Sequence, residues 1–133
     1  MAIAEITIRS VTGGETSVKR YTGELIKEDG GYIAVYEYTE DGEEYRVTTT
    51  VSGDGFTVSV RGGYEAEYVY GTDKTHECEL KTAYGTIPVS LKTEALAIKI
   101  KDDGIFLKAD YVASVAGERS RRGIIITIRR KKL

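Results

Sequence analysis

His76 and Cys78 are the only residues of their types in the chain, and they stand two positions apart, so they are the first pair to weigh for chemistry. On a strand, that spacing puts both side chains on one face with backbones ~6.6–6.8 Å apart. A thiol activated by an imidazole needs hydrogen-bond contact of roughly 3 Å, which this spacing strains. A zinc site would need two more ligands, and with no second His or Cys these must be carboxylates. The pair therefore reads as structural: Cys78 as a small buried hydrophobe and His76 near a barrel rim. No metal and no cofactor are expected.

Paired carboxylates are the next candidates for acid–base work. Glu65/Glu67 and Glu77/Glu79 alternate with apolar neighbours, which places all four on a solvated face. Gly13-Gly14, Gly30-Gly31 and Gly62-Gly63 sit at strand ends with no helix following, so a phosphate-cradling loop has no support. The chain is not expected to be an enzyme.

Charge is distributed unevenly. Seven Lys or Arg and no acid lie between Arg119 and Leu133, leaving 12 bases against 21 acids in the remainder, a net charge of −9 there. Arg119, Arg121 and Arg122 form a candidate surface for a protein or nucleic-acid partner. No aromatic residues stand among these bases to stack on nucleotides, so nucleic acid is not the favoured partner.

Tyrosine carries the strongest signal. Ten are present, and at least eight of them (21, 32, 36, 38, 45, 68, 70 and 111) fall on the same face as the aliphatic residues of their runs. A buried phenol needs a partner for its hydroxyl. A cavity lined by Tyr36, Tyr38, Tyr45, Tyr68 and Tyr111, holding a small amphipathic ligand, would supply one.

The elements that must position these residues are strands. Many Thr and Val, fifteen Gly and a single Pro accompany the tyrosines, and apolar residues recur every second position. A chain of 133 residues is expected to form one domain over 1–133. An intrachain disulfide is excluded by the single Cys, and no apolar run reaches the ~18 residues of a membrane span. The expected setting is cytoplasmic, with no membrane partner.

Turn chemistry then fixes register. Asp41-Gly42 suits a two-residue turn with φ > 0 at both central positions. It sets Tyr38 opposite Tyr45, Tyr36 opposite Val47 and Tyr32 opposite Val51, with Glu37 and Arg46 paired on the other face. At Gly62-Gly63 an extra residue is needed to keep Phe56/Val58/Val60 and Tyr64/Ala66/Tyr68/Tyr70 in phase, as a β-bulge would provide. Further on, Ile87/Val89/Leu91 are expected to pair with Ile100/Ile98/Leu96 across a loop at Thr93-Glu94. Ile105 to Val115 and Ile124/Ile126/Ile128 continue the same inward face.

About ten sequential antiparallel strands with one apolar face close most simply as an up-and-down β-barrel, which leaves no free edge. The run His76-Glu77-Cys78-Glu79-Leu80-Lys81-Thr82-Ala83-Tyr84-Gly85 follows Arg61-Gly62, Thr48-Thr49-Thr50 and Tyr36-Glu37. In that order and spacing the chain resembles the YwiB-like family of small bacterial proteins, a domain of unknown function. The resemblance implies a calycin-like, lipocalin-like barrel and carries over no catalytic residue and no ligand. Within the motif, Gly85 is expected to permit a bend at a corner where Tyr84 packs or hydrogen-bonds.

Overall fold

The computed structural model describes residues 2–72 and 75–131, so Asp73 and Lys74 of the expected Thr72-Asp73-Lys74 turn, and Lys132 of the basic tail, lie outside the described residues. Ten strands follow one another. They are β1 (Ala2–Thr12), β2 (Glu15–Glu28), β3 (Gly31–Glu40), β4 (Glu43–Val51), β5 (Gly55–Arg61), β6 (Tyr64–Gly71), β7 (Thr75–Thr82), β8 (Gly85–Lys101), β9 (Gly104–Val115) and β10 (Glu118–Arg130). Each pairs antiparallel with its neighbours in sequence, and β10 pairs with β1 to close the barrel.

The turns adopt the geometry their residues dictate. Asp41 and Gly42 have φ of 51° and 78°, and Gly13-Gly14 and Ala116-Gly117 are likewise positive at both positions. The β3–β4 ladder has Tyr38 opposite Tyr45, Tyr36 opposite Val47 and Tyr32 opposite Val51. On its outer face Arg46 Nη1 donates to Glu37 Oε1 at 2.7 Å. At Gly62-Gly63 the extra residue is taken up in the turn itself, since Val60 pairs with Ala66. Gly62 lies at φ 153°, and a Cβ there would meet the Glu44 carbonyl oxygen.

One expected hairpin does not exist. β8 runs straight through Thr93-Glu94, so Ile87, Val89 and Leu91 pair with Leu80, Cys78 and His76 of β7. Leu96, Ile98 and Ile100 pair instead with Ala109, Leu107 and Ile105 of β9. Thr93-Glu94 offers no Gly, Asn or Asp to supply positive φ, so a tight turn has no chemical basis. A register shift between Thr93 and Ala95 absorbs one residue and brings Leu96 back to the inner face. Thr93 is buried, and its Oγ1 accepts a hydrogen bond from Gly71 N–H at 3.2 Å. Glu94 points outward and accepts from Arg121 at 2.9 Å.

The two ends of the barrel differ. One end gathers the β2–β3, β4–β5 and β8–β9 connections, and inside it Ala4, Leu25, Ala34, Phe56, Ile105 and Ile128 are all at most 3% exposed. The β1–β2, β3–β4, β5–β6, β7–β8 and β9–β10 turns ring the other end, the mouth, where Ile8, Tyr38, Tyr64, Leu80 and Val115 are only partly buried.

Two seams are only partly zipped, β2–β3 opening toward the mouth and β6–β7 opening below it. β2 pairs with β3 only from Glu24 to Glu28, and at Gly23 the backbones come so close that a Cβ would strike the Val35 carbonyl oxygen. Beyond that point Tyr21 stacks on Tyr36 with ring centroids 4.3 Å apart, covering the gap with an aromatic face. β6 and β7 share two residue pairs, Tyr64 with Thr82 and Glu65 with Lys81.

Candidate functional site

The barrel interior above the packed end is a chamber of about 400 Å³. Its size falls within the range of small-molecule sites, ~300–1,000 Å³. Ile126, Leu91 and Val89, each at most 5% exposed, belong to its apolar lining. Tyr36, Tyr38, Tyr64, Tyr68, Tyr70 and Tyr111 line it as well.

Four of the five tyrosines expected at a ligand site, Tyr36, Tyr38, Tyr68 and Tyr111, face this chamber. Tyr45 stands one layer behind, stacked on Tyr38 at 4.8 Å and tilted against Tyr64 at 5.5 Å. The rings of Tyr21, Tyr36, Tyr38, Tyr45 and Tyr64 thus form one continuous array along the wall from β2 to β6. Deeper in, Tyr70 stacks on Phe56 at 4.8 Å and meets the edge of Tyr111 at 5.0 Å.

The phenols are held protonated. Loss of hydration raises Tyr36, Tyr38 and Tyr70 well above the ordinary phenol value and Tyr68 to about 12, and neighbouring phenols add to each shift. At neutral pH every one of these hydroxyls remains a hydrogen-bond donor. Among the described residues, no side-chain polar atom is both buried and without a partner.

The three arginines proposed as one partner-binding surface are split by strand alternation. Arg121 points outward and pairs with Glu94, and Arg119 is exposed on the same outer face. Arg122 turns inward and lines the chamber, opposite Tyr111 on β9 and Thr12 on β1. Its Nε donates to Ser120 Oγ at 2.9 Å, and no carboxylate among the described residues lies within 4.0 Å of it. Its charge acts on Tyr68 and Tyr70, opposing the rise in their proton affinity. Glu40 acts on Tyr21, Tyr38 and Tyr64 from the rim and reinforces theirs. The mouth is therefore polarised, with an acid on one side and a cation on another. The signal for Arg122 was present in the sequence, because it keeps the parity of Ile124, Ile126 and Ile128.

The remaining candidates have structural places. Cys78 is half-buried against the core, its thiol pushed up by burial despite a hydrogen bond from the Glu67 backbone. A protonated thiol is a weak nucleophile. His76 is half-buried at the start of β7. Glu65, Glu67, Glu77 and Glu79 are all exposed, and among the described residues no three His, Cys, Asp or Glu are placed to hold a metal ion. Gly85 bends at φ 130° as expected, but Tyr84 does not pack at that turn. Its side chain is fully exposed, because Thr82 Oγ1 secures the corner by accepting from Tyr84 N–H at 3.1 Å and donating to the Gly85 carbonyl at 2.9 Å.

Fold and chamber together define a closed, ten-stranded up-and-down β-barrel with one open mouth. Residues 2–123 match the family described as Domain of unknown function (DUF1934), and the chain belongs to this YwiB-like family. The crystal structure of the ywiB protein from Bacillus subtilis superposes with a TM-score of 0.86 at 16% sequence identity, covering 98% of this chain and 93% of that one. That likeness carries the fold. No curated protein matches the chain. Among the described residues, no helix is long and apolar enough to cross a membrane.

Proposed function

We propose that this protein is a non-enzymatic, calycin-like binding barrel that takes up a small, partly apolar molecule through its mouth. The observation that carries the reading is the chamber of about 400 Å³, with an apolar inner end and protonated tyrosines along its wall. Apolar side chains would bury the body of a ligand, and the phenol hydroxyls would fix its orientation. Cytoplasmic placement goes with this reading, since the lone Cys78 serves as a packing residue and forms no disulfide.

Native mass spectrometry of the protein purified from its own host tests the proposal. A retained small molecule that is lost from an Ala113→Trp variant, in which an indole fills the chamber, is the expected result. Wild-type protein that carries no adduct, and that leaves the fluorescence of added apolar dyes unchanged, would overturn it. An interaction module built on the basic final strand is the weaker reading, because Arg121 is engaged by Glu94 and Arg122 faces the interior.

A further inference from the structure

Arg122 is placed where alternation would seat another apolar residue, one step above Ile124 on the inner face of β10. Holding a guanidinium against an apolar wall costs solvation that only a polar partner restores. Among the described residues, its one side-chain hydrogen bond is to Ser120, through Nε. The two terminal amino groups are not used by that bond, and they are the part of the fork that grips a carboxylate or phosphate by two parallel hydrogen bonds. The field of Arg122 reaches Tyr68 and Tyr70, whose hydroxyls share the chamber with it. Glu40 stands on the Tyr21/Tyr38/Tyr64 side of the mouth, so an anion would be repelled there and drawn to Arg122.

We propose that the ligand is a small amphipathic anion. Its acidic head is held by Arg122 with help from the Tyr68 and Tyr111 hydroxyls, and its apolar body points down toward Ile126. This rests on the chamber being a binding site and adds the charge of what enters it. Four residues of strand separate Arg122 from Ile126, or roughly 13 Å, which limits the length of the body below the head.

Titration calorimetry with two matched pairs, octanoate against octanamide and 2-naphthoate against 2-naphthamide, tests the inference on a straight and on a flat apolar body. At least one acid should bind wild-type protein about tenfold or more tighter than its amide, as a charge-assisted hydrogen bond provides. Arg122→Gln should bring acid and amide within about twofold, chiefly by weakening the acid, and an unchanged strand-type circular dichroism spectrum shows that the variant is folded. Arg122→Lys should keep part of the preference. Equal binding of acid and amide by wild-type protein, or a preference that survives Arg122→Gln, would overturn the anionic head and leave the chamber standing. Absence of binding by all four compounds at millimolar concentration would overturn both proposals.

Discussion

The packed end and the mouth of the barrel are built from the same strands by the same alternation, yet they differ in what the inner positions carry. Along β10 the inner residues run Ile128, Ile126, Ile124 and Arg122, and burial falls from complete at Ile128 to partial at Arg122. Along β1 they run Ala4, Ile6, Ile8 and Ser10, with the same gradient. Ten strands enclose more space than an eight-stranded barrel, whose own side chains nearly fill it. One end of this barrel solves the excess with Phe56, Leu25 and isoleucines, and the other leaves it open behind a sleeve of stacked rings. Stability is thus concentrated at one end, and the polar groups able to meet a ligand at the other.

That division can be broken most directly by truncating an inner residue at each end. Leu107→Ala, at a position with no exposure, should destabilise the fold by ~2–5 kcal/mol in urea-induced unfolding. Val115→Ala, on the same strand at the mouth, should cost under ~1.5 kcal/mol, because solvent already reaches the site. Equal costs would show that the mouth is packed as tightly as the other end.

Alkaline pH sharpens the comparison, since it acts on the tyrosine wall. Phenols such as Tyr36, Tyr68 and Tyr70 hold their protons more tightly when folded than the ordinary value of 10.0, first because burial strips their hydration. Between pH 10 and about 12 the unfolded chain binds fewer protons than the native one, so stability falls as pH rises. Their contribution is therefore complete below pH 10 and lost progressively above it. Calorimetric melting temperatures should decline from pH 10 upward, and the decline should be shallower in Tyr68→Phe. A melting temperature flat to pH 12 would contradict the protonated wall.

The smallest effect is expected at Tyr84, the one tyrosine whose ring lies wholly outside. Tyr84→Ala should change stability by no more than ~0.5 kcal/mol and leave ligand affinity untouched.

How much of this was legible in the sequence depends on which physical signal each part leaves. Register around Asp41-Gly42 could be read because turn chemistry and a one-sided apolar pattern must agree, and a slip of one residue would expose the whole face. The continuity of β8 could not, because two alternating runs flanking a polar pair look like a hairpin. Only the absence of a turn former at Thr93-Glu94 argued otherwise. The tyrosines of the site were visible as inward positions, but the stacking that moves Tyr45 behind Tyr38 depends on ring packing that a one-dimensional pattern does not encode. Arg122 was legible by parity and was obscured by its neighbours, since a run of bases near a terminus suggests a surface.

The closing ladder between β1 and β10 also bears on how the molecule forms. Nine of the ten seams join strands adjacent in sequence and can zip locally, whereas Thr12 must find Arg122 from the far end of the chain. Such a non-local pairing is made only after the loop-closure entropy has been met, and it slows folding accordingly. Folding intermediates should therefore be open, curled sheets with a tyrosine-rich concave face. The last kinetic step, visible in stopped-flow fluorescence as the slowest phase, would bring Arg122 beside Thr12 and complete the chamber.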